Sequence, residues 1–370
     1  MIVGIDASRA FLRRRTGIEE YSYQVIRHLR AELRDQTVVL YVRKKLEIRN
    51  SKLEMTVPDI DFDLPPQWQV KGLWAPRFWT QIRLSLEMLC HAPDVLFVPA
   101  HTVPLIHPQK TVVTVHGLEY EFSPESYGFW ERLYMCWSIR FSVRVADRVI
   151  AVSENTKRDL MLLYAVPEKK IQVIYEGLSQ PTIYNLQPTT LAEKPFFLFI
   201  GRLETRKNIV RMIEAFEIIK QKTSLPHQLI LAGKPGYGYE EIQFSIFNSQ
   251  FSNHIQELGY VSEEDKWNLL RGAAAFLFPS LYEGFGLPVI EAQSVGTLVI
   301  TANTSSLPEI AEEGAFFVDP LSPEALANAM EALVRNPDKR ADIIEKGTLN
   351  VRRFSWGVCA QAIGVLLWQK

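Results

Sequence analysis

The sequence predicts an α/β protein built from two doubly wound halves, and three observations carry that prediction. Short β-rich runs alternate with helical patterns along almost all of the 370 residues. Most of the runs are continuously apolar rather than alternating, which is how strands covered by helices on both faces read, so the sheets should be mainly parallel. The alternation pauses once, at "EGLSQPTIYNLQPTTLAEKP" (176–195), a stretch rich in Pro, Thr and Gln with little apolar periodicity that reads as a linker.

In chain order the first half offers "MIVGID", "TVVLYV", "DVLFVP", "TVVTVH" and "RVIAVS" as strands. The second offers "FFLFIGR", "HQLILAG", "IQELGYV", "AFLFPS", "TLVITA" and "AFFVD". Helical patterns lie between them, at 17–34, 153–165, 208–221 and 262–273, with Ser153 and Ser262 where N-caps belong. Doubly wound units bind ligands at the carboxyl ends of their strands, so two of them facing each other would form a cleft.

Composition excludes several classes. A hydrophobic content of 47% supports substantial cores, and a net charge of -1 gives no basic field for nucleic acid. Cys90, Cys136 and Cys359 are far apart and match neither a disulfide framework nor a metal-ligand spacing, so they read as core thiols in a reducing compartment. No apolar run reaches membrane-span length and "MIVGIDASRA" lacks a signal-peptide layout, from which a cytoplasmic protein is expected.

Two segments carry chemistry. "FLFIGRLETRKNI" is a buried strand ending in Gly201 and Arg202, with Lys207 just before a helix. Two cations and the orphan amides of a helix start suit a phosphate, although a solvated turn with surface charges reads the same way. "PSLYEGFGLPVIEAQSVGT" (279–297) sets Glu283 and Glu291 on either side of two glycines and a proline. Unbroken helix would hold those carboxylates about 12 Å apart, but Gly284 and Gly286 predict a loop at a strand end, followed by a helix with Pro288 in its first turn. The amides near Phe285, Gly286 and Leu287 would then face an anion or a ring hydroxyl, with Glu283 on sugar hydroxyls and Glu291 on a ribose. The alternative is a helix-start loop whose acids only favour the dipole.

Taken together, "GRLETRKN" and the E-x7-E frame "EGFGLPVIE" resemble the large retaining glycosyltransferase family with two facing Rossmann-like domains, glycosyltransferase family 4 with the GT-B fold, which includes bacterial mannosyl- and glucosyltransferases. "TGIEEYSYQVIRHL", "TVVTVHGLEYEFSPE", "VSENTKRDLMLLYAVPEKKIQVIYEG" and "RFSWGVCAQAIGVLLW" extend the likeness over nearly the whole chain. The resemblance implies an acceptor-binding domain at 1–185, a nucleotide-sugar domain at 186–354, and a last helix, 355–370, returning to the first domain. It assigns Arg202 and Lys207 to the donor diphosphate, beside Gly201, and Glu283 to the transferred sugar. The amides of Phe285, Gly286 and Leu287 go to that sugar and its phosphates, and Glu291 to the ribose. Tyr260 and Val261 lie beside the base, Gly17 approaches the diphosphate from the other domain, and His116 lies near the anomeric carbon. His116, Glu283, Arg202 and Lys207 are thus the expected catalytic set, with no metal and no cofactor beyond the donor.

The family pattern is not met everywhere. Gly117 stands where many relatives carry Asp, which removes a side-chain partner from His116; a hydrogen-bonded structural histidine remains the alternative. His101, His107 and His116 match no metal signature. "WAPRFWTQIRLSLEML" (74–89) reads as a core helix with snorkelling arginines, or as a membrane-surface or lipid-acceptor element. "RRR" at 13–15 is either a solvated loop or a phosphate contact. The reading that follows is hexose transfer, with GDP-mannose preferred, to a saccharide or lipid-linked saccharide in O-antigen or other polysaccharide synthesis, in the cytoplasm or peripherally at the membrane. The rivals are a UDP-sugar donor, a nucleotide-sugar epimerase or hydrolase, and a non-catalytic sensor; a nicotinamide oxidoreductase is disfavoured, since no G-x-G-x-x-G follows the first strand.

Overall fold

The computed structural model describes residues 1–12, 15–49, 52–75, 77–179 and 194–368, and only the backbone of 45–49 and 52–54. Arg13 and Arg14 of the basic run, and 180–193 of the linker, lie outside the described residues. The chain divides into two compact units. One comprises Met1–Leu118, Trp130–Gly177 and Phe354–Lys370; the other comprises Glu119–Phe129 and Leu178–Arg353. Both are Rossmann-like, as the sequence predicts.

The strands of the first unit are β1 (Ile2–Asp6), β2 (Thr37–Arg43), β3 (Lys45–Arg49), β4 (Lys52–Thr56), β5 (Trp68–Leu73), β6 (Val95–Val98), β7 (Lys110–Val115), β8 (Arg148–Ala151) and β9 (Ile171–Val173). All but two form one parallel sheet in the order β5-β2-β1-β6-β7-β8-β9, while β3 and β4 pair as an antiparallel hairpin. The chain winds outward from β1 through β2 to β5, then restarts at β6 on the other side, so the switch point lies between β1 and β6. Val3, Ile5, Phe97, Val113 and Ile150 are fully buried, as continuous apolar runs require.

The second unit repeats this plan with β10 (Phe196–Ile200), β11 (Gln228–Ala232), β12 (Ile255–Gly259), β13 (Ala275–Phe278), β14 (Val299–Ala302) and β15 (Phe316–Val318). Their order, β12-β11-β10-β13-β14-β15, puts the switch point between β10 and β13. Phe197, Phe199, Phe276 and Phe278 are fully buried, each worth about 1.5–3 kcal/mol of burial. Gly233, at the end of β11, has φ +152°, and a Cβ there would stand 1.7 Å from the Gly201 carbonyl oxygen. Only glycine lets the ends of β10 and β11 close up in this way.

Ser153 and Ser262 cap their helices through the amides of Thr156 and Asp265, as the sequence predicts. The helix Trp356–Trp368 belongs to the first unit and packs on Gly17–Glu32, where a Cβ at Gly364 would lie 3.2 Å from that of Glu32. The segment 74–89 corrects an expectation. It forms a π-helical stretch (Trp79–Leu84) running into the helix Ser85–Cys90, and Phe78, Ile82, Leu86 and Leu89 are exposed rather than core. Trp79, Leu84 and Met88 are its buried apolar face.

Candidate functional site

Both chemistry-bearing motifs leave adjacent strands at the switch point of the second sheet. "GRLETRKN" follows β10 and "PSLYEGFGLP" follows β13, so hydrogen-bonded neighbours bring residues more than seventy positions apart to one edge. Asn208 locks the two turns together. It adopts a left-handed conformation (φ 63°) that Asn tolerates, and its buried amide donates to the carbonyls of Pro279 (3.0 Å) and Pro320 (2.6 Å).

That lock places Lys207 Nζ 2.5 Å from Glu283 Oε1 and 5.1 Å from the centroid of the Phe278 ring. Arg206 lies beside them: it reaches Glu283 Oε1 at 3.3 Å, donates to the Tyr282 carbonyl at 2.7 Å and pairs with Glu204 at 2.7 Å. Lys207 and Glu283 are each 9% exposed. Burial pushes the Glu283 carboxyl up, but the charges of Lys207 and Arg206 and the Lys207 hydrogen bond outweigh it and hold the group below the usual carboxylate range. Burial and the Arg206 guanidinium push the Lys207 ammonium down, against Glu283.

The loop between the acids is clamped from the turn after β14. Ser305 Oγ accepts from the Glu283 amide at 3.0 Å, and Ser306 Oγ donates to the carbonyls of Glu283 (2.9 Å) and Phe285 (2.6 Å). With those carbonyls tied back, the chain enters the helix Leu287–Ser294 through Gly286 at φ 120°, a conformation that favours glycine. Pro288 occupies the first turn, as predicted, and the first-turn amides of a helix have no intrahelical acceptor. Tyr282, just before Glu283, stacks on Phe122 with centroids 4.4 Å apart and an interplanar angle of 12°.

The remaining expected donor residues are distributed unequally. Glu291 lies one turn into its helix, paired with Lys266 at 2.9 Å, a partner the sequence reading did not include. Tyr260 follows β12, 56% exposed, with Lys234 Nζ 5.0 Å from its ring centroid; Val261 beside it is half-buried. Gly201 ends β10, while Arg202 is exposed and runs its aliphatic stem past Gly236. The guanidinium in contact with Glu283 is that of Arg206. Arg206, Asn208, Ser305 and Ser306 went unread. The signals were a second cation inside "TRKN" and a cluster of small polar residues, "NTSS", at a strand end.

In the first unit His116 stands at the end of β7. Its Nε2 donates to the Pro99 carbonyl at 2.8 Å and its Nδ1 lies 3.0 Å from Glu176 Oε1. The partner lost at Gly117 is thus supplied by Glu176, sixty residues onward and 3% exposed. Tyr21 packs edge-on against the imidazole, with centroids 4.5 Å apart. Gly17 is exposed at the start of the helix Gly17–Glu32, capped by Thr16 and Glu19, and a Cβ there would meet nothing within 4 Å, so packing does not demand glycine. Among the described residues no three of His, Cys, Asp or Glu are grouped to hold a metal ion, and no helix is long and apolar enough to cross a membrane.

Comparison with known proteins covers both units. Residues 15–179 match the family model described as "Glycosyltransferase Family 4", and 186–349 match "Glycosyl transferases group 1". The O-antigen chain mannosyltransferase B of Escherichia coli is 29% identical over 259 residues, 68% of each chain. The O-antigen chain mannosyltransferase RfbU of Salmonella typhimurium is 24% identical over 353 residues, 94% of this chain and 95% of its own. Among solved structures, WaaG, a glycosyltransferase involved in lipopolysaccharide biosynthesis, superposes with a TM-score of 0.73 at 13% identity over 100% of both chains. Anabaena HepE, in complex with UDP and glucose, gives 0.70 at 18% identity over 100% of this chain and 99% of its own.

Proposed function

The chain belongs to the glycosyltransferases whose first half is a family 4 domain and whose second half is a group 1 domain, and from that premise we propose the reaction this enzyme catalyses. It moves a hexose, with retention, from a nucleoside diphosphate sugar to a saccharide or lipid-linked saccharide of an O-antigen or related polysaccharide. Mannose from GDP-mannose is the preferred donor, supported by the two O-antigen mannosyltransferase relatives. The observation that carries the reading is the Lys207–Glu283 pair, buried at the switch point beside a helix start.

Each part has a task. The acceptor hydroxyl attacks the anomeric carbon from the face the phosphate leaves; as the carbon–oxygen bond to phosphate breaks, the departing phosphate oxygen takes the hydroxyl proton. Charge accumulates on the diphosphate, where the ammonium of Lys207 and the first-turn amides at Leu287 stabilise it. Glu283, kept ionised, accepts from hydroxyls of the transferred sugar, and Glu291 from those of the ribose. Tyr260 and Val261 flank the base. Gly17 lets the diphosphate come close to the helix Gly17–Glu32. His116 has both ring nitrogens engaged, so its task is to hold the end of β7 or to release one bond to substrate. Arg202 and Lys207 supply the positive charge facing the diphosphate, with Arg206 beside them holding Glu283, and no step calls for a metal.

The test is a thermal-shift panel of GDP, UDP and ADP sugars in EDTA, on wild type and on Glu283→Ala and Lys207→Ala. A donor at a hundred times its Kd should stabilise wild type by about 2.7 kcal/mol, with GDP-mannose strongest and both variants blunted. No wild-type response, undiminished variants, or a response that needs a divalent cation would each defeat the reading. HepE was solved with UDP and glucose, which makes UDP-glucose the competing donor in the panel.

We also propose that the first unit touches a membrane surface. Phe78, Ile82, Leu86 and Leu89 are 49–66% exposed, and Trp130, Leu133 and Trp137 are 46–77% exposed on the helix Phe129–Val145. Arg140 and Arg144 are exposed further along that helix, so the apolar and cationic groups suit an anionic lipid interface. The protein should float with vesicles containing 30% phosphatidylglycerol, at about tenfold lower recovery for Trp130→Ser/Trp137→Ser, since each buried aromatic is worth about 1.5–3 kcal/mol. Equal recovery of the variant excludes this surface.

A further inference from the structure

Behind the edge that carries Glu283 and Glu291, two helices of the second unit share one buried fastening. The helix Leu287–Ser294 carries Pro288, Glu291 and the first-turn amides; the short helix Leu307–Ala311 starts at Ser306, whose hydroxyl holds the Glu283 loop. Gln293, near the far end of the first helix, crosses to the far end of the second. Its Nε2 donates to the carbonyls of Ala311 and Gly314, both at 3.0 Å, and its Oε1 accepts from Asn350 Nδ2 at 2.8 Å. The same Asn350 nitrogen reaches the Ile310 carbonyl at 2.8 Å. Arg353 completes the network, donating to Asn350 Oδ1 at 2.8 Å and pairing with Glu312 at 2.6 Å. Each amide nitrogen thus meets carbonyl oxygens and each amide oxygen meets a donor, so the partners fix both orientations.

Three features mark this network as one that sets a position. Room is cleared for it: a Cβ at Gly314 would stand 2.6 Å from Gln293 Nε2, and one at Gly347 would stand 3.1 Å from Gln293 Cγ. The helix it secures is strained at both ends, with Ser305 at φ 54° and Glu312 at φ 44°. Side chains other than glycine keep such conformations only where their surroundings enforce them; the Glu283 amide on Ser305 Oγ does so at one end and Arg353 at the other. Finally, Gln293 and Asn350 are buried and bonded at every amide group. Apolar side chains would fill the same space without direction, whereas a satisfied polar network specifies one arrangement. The strut between the network and the serines has five residues, about 7.5 Å of helix, short enough to pass a shift at one end to the other.

We infer that Gln293 is a positioning residue of the donor site. It fixes the helix that carries Glu291 relative to the turn that holds Glu283, and it does so from behind, without touching substrate. This rests on the glycosyl-transfer reading above, in which the two acids grip opposite ends of one donor; a shift between their supports lengthens the contacts at one end.

The experiment uses the full chain and the nucleotide sugar that gives wild type its largest thermal shift. Calorimetric titration at low temperature gives the donor Kd of wild type, Gln293→Leu, Ser306→Ala and the double variant, with circular dichroism establishing that each is at least about 95% folded, where unfolding alters an apparent Kd by only about 5%. Gln293→Leu should raise the donor Kd about tenfold or more. The double variant should lose less than the product of the single losses, because both residues act on one turn. A donor Kd within twofold of wild type in folded Gln293→Leu overturns the inference, whatever happens to the urea midpoint, since the residue would then serve stability alone. Losses that multiply in the double variant also overturn it, because Gln293 would then act through something other than that turn. If Gln293→Leu does not fold, Arg353→Ala, at the half-buried end of the network, decides by the same twofold criterion. A wild type that responds to no nucleotide sugar, by contrast, defeats the functional reading itself.

Discussion

Lys207→Ala is expected to lower kcat/KM for the donor by about 10²–10³-fold, roughly 3–4 kcal/mol, the usual loss when one preorganised group facing a developing negative charge is removed. The alternative is that the loss reflects unfolding, and the geometry separates the two. Removing one partner of a buried ion pair ordinarily costs about 3–5 kcal/mol, because the other charge is stranded. Glu283 would not be stranded: Arg206 remains 3.3 Å from the same oxygen, and Ser305 and Ser306 continue to hold the loop. Lys207 is itself destabilised in its charged form by burial and by Arg206, so alanine relieves one opposing interaction while removing another. The urea midpoint should therefore move little while kcat/KM collapses. Steady-state kinetics and urea titration on one preparation check this; a folded variant within threefold of wild-type kcat/KM removes Lys207 from the chemistry.

The fold was legible because burial on both faces leaves an uninterrupted apolar signature, and every apolar run read as a strand is one. The elements missed lack that signature. β5 ("WQVKGL") is an edge strand with polar residues along it, β9 is three residues long, and the β3–β4 hairpin alternates charged and apolar positions. The site was legible where local backbone chemistry writes itself into composition, as at Gly286 and Pro288. It was illegible where the partner comes from another strand. Nothing near Glu291 announces Lys266, nothing near His116 announces Glu176, and nothing in "GRLETRKN" says that Arg206 rather than Arg202 turns toward Glu283. A cation's position in sequence tells which turn it occupies; the switch in strand order decides what it faces. The exposed side of 74–89 was misjudged for a related reason, since an amphipathic pattern does not say whether its apolar stripe is covered.

Arg206 gives the sharper test of that lesson. Three acceptors fix its guanidinium, namely Glu204, the Tyr282 carbonyl and Glu283, so its role is to hold Glu283 in place and only secondarily to supply charge. If so, Arg206→Ala and Glu283→Gln should not add. Each alone is expected to weaken donor binding by about tenfold or more, and the double variant should lose less than the sum, with a coupling of about 1–3 kcal/mol as for residues in one network. Glutamine is the right probe for Glu283 because acidification is not: with its carboxyl held below the usual range, the group stays ionised above the ordinary carboxylate value of about 4.3, and its stabilising charge is lost only as pH falls through the lower folded value. Donor titrations of the four proteins near neutral pH measure the coupling directly. Arg206→Lys should not restore it, since an ammonium cannot present a planar fork to two carboxylates and a carbonyl at once. Strictly additive losses would mean that Arg206 acts on the diphosphate independently of Glu283, and the two cations of this turn would then share one task.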